Sequence, residues 1–224
     1  MQKYTLAFIA LLSVQFMSAQ VPAAPEKNDP QAKKVLDKIR KKYEGFKTLE
    51  AAFTLTIEIP GEAKTVQKGA IAQEGEKFRL EMDQQVIVSD TKTTWVYLKK
   101  NNEVQITDAE PLSSDNGFMT PKDLLKRYEK GDFLYAITEK TTEGGKVLTQ
   151  IEFKPKDKKS EYSKLRVSID EKAGAIAAIR AFAKDGARYT FSIGKLTTNK
   201  NLAASYFQFD AKKYPGVKVE DLRM

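Results

Sequence analysis

The sequence predicts a mainly β protein, with about eleven antiparallel strands curling round an apolar interior and two helices closing it. Three observations lead there. From Glu50 onward, apolar and polar residues alternate with a period of two over most of the chain. Turn-forming pairs such as Asn101-Asn102, Gly144-Gly145 and Asp185-Gly186 fall between the alternating runs. Helical spacing occurs at only two places, each opened by a capping residue and a proline.

The first helix begins at Asp29-Pro30, a cap followed by proline at the first helical position. Val35, Leu36, Ile39, Tyr43 and Phe46 share one face, and lysines and Arg40 occupy the other, so about four turns should end near Gly45. Phe53, Leu55, Ile57 and Ile59 then alternate with Thr54, Thr56 and Glu58 until Pro60-Gly61 turns the chain. Phe78, Leu80 and Met82 alternate with charged residues. Further strands are read at Gln85–Ser89, Thr93–Leu98, Val104–Thr107, Phe133–Thr138, Val147–Phe153, Tyr162–Asp170, Ala175–Lys184, Arg188–Leu196 and Ser205–Phe209. Thr120-Pro121-Lys122-Asp123 opens a second, shorter helix with Leu124, Leu125 and Tyr128 on one side. Strands following one another through short turns should pair as consecutive hairpins in an antiparallel meander. A sheet this long must cover its apolar face, either by closing on a filled core or by curling into a lipid-binding half-barrel with the helices at its mouth. Periodicity by itself favours the filled core, because alternation does not separate a cavity wall from a packed interior.

Residues 1–19 read as a secretory signal peptide: one lysine, an apolar stretch from Leu6 to Met17, then Ser18 and Ala19. That stretch is too short for a hydrocarbon core of ~30 Å. Residues 20–29 form a tether rich in proline and alanine, and 30–224 a single domain. Removing Lys3 lowers the formal net charge from +8 to +7. Basic runs occur at Lys38–Lys42 and Lys154–Lys159, read first as solvated faces and second as an attraction to an anionic membrane or acidic partner. An exported chain seldom meets nucleic acid, so none is expected as a partner.

The chain has no histidine and no cysteine. That removes the imidazole base, the thiol nucleophile, the disulfide and the commonest ligands of zinc. Carboxylate pairs such as Asp108 with Glu110 and Glu220 with Asp221 exist, but they form no acid/base constellation. No catalytic residue, metal site or cofactor is expected, and the chain is not read as an enzyme. With no cysteine after the apolar stretch to take a lipid, it is not read as a lipoprotein itself.

The run VIVSDTKTTWVY at Val86–Tyr97 resembles the signature strand pair of the LolA family, the periplasmic outer-membrane lipoprotein carriers. Three more stretches agree in order: GAIAQEGEKFRL at Gly69–Leu80, FKPK at Phe153–Lys156 and FQFDAKKYPGVKVED at Phe207–Asp221. The resemblance implies an unclosed antiparallel β-barrel lidded by two helices over a hydrophobic cavity. It also implies a monomeric carrier in the periplasm, which takes acylated lipoproteins from an inner-membrane lipoprotein-releasing ABC transporter to an outer-membrane acceptor. On it, Phe78 matches an aromatic at the barrel rim, Leu80 a cavity-lining position, and Leu124 and Leu125 the lid. The acyl-binding set expected is Phe53, Leu55, Ile57, Phe78, Leu80, Met82, Trp95, Tyr97, Leu165 and Val167, and the lid set is Leu36, Ile39, Tyr43, Leu124 and Leu125.

Two departures stand out. The family's latch arginine, which ties the lid to the hairpin turn, is replaced by Glu74, with Gly75 where a proline is usual. Arg79 should face away from Phe78 and Leu80, so it does not stand in for that arginine. Thr91 replaces a signature glycine, which is tolerable if the turn avoids positive φ. Two alternatives share the fold: a paralogue carrying another lipid or glycolipid, and a lipid-sensing envelope-stress regulator resembling RseB, whose second domain has no counterpart after the last motif.

Overall fold

A computed structural model describes residues 25–109 and 120–223. The expected signal peptide lies outside the described residues, as does the first part of the tether. Helix α1 spans Pro30–Glu44, and the Asp29 carboxylate caps it by accepting from Gln31 N at 2.7 Å. The same carboxylate accepts from Ile137 N at 3.2 Å, so one residue starts the helix and ties it to the sheet. Ala32, Leu36, Ile39 and Tyr43 form the buried stripe.

Six strands follow: β1 (Thr48–Glu58), β2 (Thr65–Glu74), β3 (Lys77–Met82), β4 (Gln85–Ser89), β5 (Thr93–Leu98) and β6 (Glu103–Asp108). Helix α2 spans Pro121–Lys130. Five more strands come next: β7 (Phe133–Glu143), β8 (Lys146–Pro155), β9 (Tyr162–Asp170), β10 (Ala175–Ala183) and β11 (Arg188–Thr198). After two 3-10 turns, the short strand β12 (Lys218–Asp221) completes one twelve-stranded sheet in the order β12-β6-β5-β4-β3-β2-β1-β11-β10-β9-β8-β7. Its edges, β12 and β7, do not pair, so the barrel is unclosed.

The expected single meander is corrected in three respects. Two meanders, β1–β6 and β7–β11, are joined by a long-range pairing of the first strand with the eleventh, with Leu55 opposite Phe191. Periodicity does not announce strand β2, whose second half enters the expectation only through the resemblance at Gly69–Leu80, because its pattern is inverted at the start: Val66 is exposed on one face while Gln67 and Gly69 occupy the other. Ser205–Phe209 is not a strand. Ala204–Phe207 makes a 3-10 turn that buries Phe207 completely, and the closing strand β12 lies further on, parallel to β6.

Pairing register assigns the faces, because alternate side chains point to opposite sides. On the inner face, Ala51 lies opposite Ile71, Ile71 opposite Leu80, and Leu80 opposite Ile87. On the outer face, Arg79 lies opposite Val88, and Val88 opposite Trp95. Both helices cover the inner face over β7–β10, burying Leu124, Leu125 and Tyr128 against Tyr135, Ile151, Phe153, Leu165 and Val167.

Candidate functional site

The inner face has two apolar regions. Under the helices, Leu36, Ile39, Tyr43, Leu124 and Leu125, all 3% exposed or less, pack with Leu165, Val167 and Ile169 into one buried core. Beside it Ala51, Phe53, Ile71, Leu80 and Phe191 form a second cluster, flanked by half-buried Leu55, Met82 and Ile87. Ile193 and Leu196 of β11 touch both clusters, so the apolar surface is continuous. Its depth rests on one glycine. Gly69 lies opposite Phe53, and a Cβ there would stand 2.4 Å from the Phe53 ring, so the ring lies flat over the space glycine leaves. Phe53 also meets Phe191 with ring centroids 4.7 Å apart.

The expected binding residues divide. Phe53, Leu55, Leu80 and Met82 come together in the second cluster, and Leu165 and Val167 sit in the first, beneath the lid. Ile57 is half-buried further along β1, opposite Tyr189. Phe78 is on the inner face, 3% exposed, between Gln73 and Ser89 in register. Trp95 and Tyr97 do not join them, which corrects the expected set. Val88, opposite Trp95, and Val86, opposite Tyr97, place both aromatics on the outer face, where Phe209, Tyr214 and Val217 of the C-terminal segment cover them. The Tyr97 hydroxyl donates to Asn102 Oδ1 at 3.1 Å, and the Asn102 amide donates to Pro215 O at 3.1 Å, holding that cover in place. The reason is parity: Trp95 sits opposite an outer-face residue, and neither composition nor hydrophobicity reports this. Ile71, Ile87, Phe191 and Ile193 are inner-face residues that sequence reasoning missed; their signal was the register between strands, which a single alternating strand does not reveal.

The lid is held by several contacts. Thr120 and Asp123 form a reciprocal capping box at the start of α2: Thr120 Oγ1 accepts from Asp123 N at 3.2 Å, and Asp123 Oδ2 accepts from Thr120 N at 3.1 Å. Burial raises the Asp123 carboxyl above its ordinary pKa, against the lowering effect of those hydrogen bonds. Burial likewise depresses the neighbouring Lys122 ammonium. The Tyr128 hydroxyl donates to Asp37 Oδ1 at 2.8 Å, joining α2 to α1, and Arg40 reaches Glu129 at 2.8 Å. Burial followed by the Asp37 contact pushes the Tyr128 phenol strongly upward, so it stays a donor.

The expected latch position, Glu74, does not touch the lid; it pairs with Lys77 at 3.5 Å inside its own hairpin. Glu76, at the turn between β2 and β3, pairs instead with Lys126 of α2 at 3.2 Å. Turn and lid are thus linked by a carboxylate on the turn and a cation on the helix. Both side chains are more than half exposed, so the pair contributes at most about 1 kcal/mol. Arg79 faces outward as expected, pairing with Glu81 at 2.6 Å and lying over the Tyr206 ring. A cleft of about 240 Å³ lies at the lid's edge, lined by Arg40, Tyr43, Gln73, Glu76, Lys122, Leu125 and Lys126. Beneath α2 the apolar gap among Leu49, Ala51, Ile71, Phe191, Ile193 and Leu196 is only about 10 Å³. Ligand sites commonly have roughly 300–1,000 Å³, so the lid as seen is shut.

Among the described residues, no group of three or more acidic side chains could hold a metal, and no helix is long and apolar enough to cross a membrane. Of the carboxylate pairs, Glu110 lies outside the described residues, and Asp221 is held down to about 2 by the Arg223 guanidinium beside it. What the site offers chemically is apolar surface, part of it beneath two packed helices and part beside them.

The sequence profile of the family described as "Outer membrane lipoprotein carrier protein LolA" matches residues 44–210, from the end of α1 to the C-terminal cover. The chain belongs to the LolA family. An outer-membrane lipoprotein carrier protein of Vibrio parahaemolyticus is 30% identical over 222 residues, covering 95% of this chain and 93% of that one. An uncharacterised protein of Methanocaldococcus jannaschii is 32% identical over 143 residues; the match takes in 62% of this chain and 41% of the archaeal protein's length. The fold of this LolA-family chain is also that of an uncharacterised Thermus thermophilus protein, with a TM-score of 0.55 at 12% identity over 85% of this chain and 99% of that one.

Proposed function

We propose that this protein is a periplasmic carrier of acylated lipoproteins. Cargo comes from an inner-membrane lipoprotein-releasing ABC transporter, travels with its acyl chains against the inner sheet face, and passes to an outer-membrane acceptor; the carrier is a monomer and has no catalytic step. One observation carries the reading: the apolar inner face continues past the helices into half-buried Leu55, Ile57, Met82 and Ile87, a surface that a filled core would have covered. Membership of a carrier family supports the same reading.

Each buried methylene is worth roughly 0.8 kcal/mol, so even part of two or three acyl chains gives ample affinity. The difficulty for a carrier is release, and a face that shelters chains incompletely eases it. Handover then follows differential affinity along donor, carrier and acceptor. Phe53, Leu55, Ile57, Phe78, Leu80 and Met82 contact the chains, and Leu165 and Val167 join them when the lid lifts. Mass spectrometry of the protein isolated from native membranes should find acylated lipids or lipopeptides, and Phe78→Glu should weaken binding of a fluorescent diacylated peptide at least tenfold. Isolation without lipid, together with normal lipoprotein export by Phe78→Glu cells, would overturn the proposal.

A further inference from the structure

The outer face of β8–β11 carries a cationic surface for which the carrier reading has no use. Phe182 of β10, half-buried, is ringed by Lys164 at 5.1 Å, Arg180 at 5.5 Å, Arg166 at 5.8 Å and Arg188 at 6.0 Å from its centroid. Register explains the crowding: Phe182 lies opposite both Lys164 and Arg188, and Arg180 lies opposite Arg166. Like charges directly across a ladder repel. Glu152, fully buried, relieves part of this by bonding Arg166 at 2.7 Å and Lys164 at 3.0 Å, and Glu58 pairs with Arg180 at 2.6 Å. The ring is continuous with the turn Lys154–Lys159, whose four lysines are all exposed. Lys184 Nζ donates to Lys158 O at 2.7 Å, drawing the turn after β10 to the same place.

We infer that this face docks on the surface of an anionic phospholipid bilayer. The distribution of charge decides between a bilayer and an acidic protein. Arg166 and Arg180, the side chains suited to forked recognition of a carboxylate, already serve Glu152 and Glu58. What remains outward is exposed Arg188 and the lysines of the two turns around an aromatic ring, charge spread over two turns and a strand rather than gathered into one fork, which matches a layer of phosphate headgroups. The patch lies on the face opposite the helices, so docking leaves the acyl-binding side uncovered. Lys156 N donates to Asp132 O at 2.9 Å, next to the end of α2, so the docked turn holds the lid's C-terminal end at the bilayer. This role rests on the carrier reading, since a shuttle between membranes gains from brief attraction to each.

The test is co-sedimentation of the full-length protein, as isolated from the producing cell, with vesicles of phosphatidylcholine alone or with 30% phosphatidylglycerol. Each lysine near an anionic surface contributes roughly a factor of five, so Lys156→Gln/Lys158→Gln/Lys159→Gln should lower binding to anionic vesicles about a hundredfold. Lys34→Gln/Lys38→Gln/Lys41→Gln, three exposed lysines of α1, should lower it less than threefold. Phe182→Ala should lower it several-fold with a raised salt sensitivity. Equal losses in the two triple variants, no preference for anionic vesicles, or binding to polyglutamate beads but not to vesicles would each overturn the inference. Diacylated-peptide binding is measured in parallel. Peptide binding without vesicle docking defeats this inference alone, and docking without peptide binding defeats the carrier reading alone.

Discussion

Thr91 sits at φ 82°, in the left-handed region, between the β4 and β5 strands. The turn therefore holds Thr91 in a conformation that favours glycine, so the condition under which threonine would be free of strain, a turn without positive φ, is not met. The Asp90 carboxylate holds it there, accepting from Lys92 N and Thr93 N at 2.9 Å each. A side chain in that region costs about 1–2 kcal/mol, and glycine gives back about 0.5–1 kcal/mol through a freer unfolded chain. Thr91→Gly should thus stabilise the protein by roughly 0.5–1 kcal/mol, read as an unchanged urea slope with a higher midpoint. Asp123 supplies a second prediction. Its native pKa is raised by burial, so the folded state binds the proton more tightly than the unfolded state. The cost to stability is full above the raised native value and vanishes below the ordinary 3.8, so this group favours folding as pH falls. Asp123→Asn should remove that contribution, and its stability relative to the native protein should be greatest at neutral pH and shrink on acidification. A difference that stays flat with pH would refute it. The capping pattern Thr-Pro-x-Asp was legible in the sequence; the burial that perturbs the carboxyl was not, because it depends on what packs over the cap.

At the scale of elements, the C-terminal cover explains where Trp95 and Tyr97 went. Tyr97 meets Tyr214 at 4.5 Å and Phe209 at 5.4 Å between centroids, and Phe207 is fully buried. Ser205–Phe209 reads as the last strand, yet only Lys218–Asp221 pairs, and the segment before it is a strap over the outer face. Phe207→Ala should cost about 3–5 kcal/mol, measured by chemical unfolding, with cargo binding unaltered in the fraction that stays folded. The two helices were legible because each stripe and cap is local in sequence. Strand β2 was not, since Gly69 and Gln67 on its inner face break the alternation that would have announced it, and Phe53 rather than β2 supplies the apolar surface there.

On the scale of the whole molecule, the proposed carrier function requires movement. The gap under α2 is about 10 Å³, so on that reading acyl chains reach Leu165 and Val167 only if α2 separates from the sheet. Leu124, Leu125 and Tyr128 give the lid most of its hold, and the Glu76–Lys126 pair adds little. The chain has no cysteine, so Glu76→Cys/Lys126→Cys can be joined cleanly by a short bis-maleimide. The cross-linked protein should lose diacylated-peptide binding at least tenfold, while the uncrosslinked double variant binds within threefold of the native protein. Full binding by the cross-linked form would show that cargo enters elsewhere.

By itself the sequence determined the β-rich class, the two capped helices and the kinship with the LolA family, because alternation, caps and motifs are local patterns along one chain. Only the tertiary structure decided which face each aromatic takes, that β1 joins β11, and that Glu76 rather than Glu74 reaches the lid. Those outcomes depend on strand register and on contacts between residues far apart in the chain, and a shift of one residue in pairing exchanges inside for outside without altering the pattern that predicts the strand.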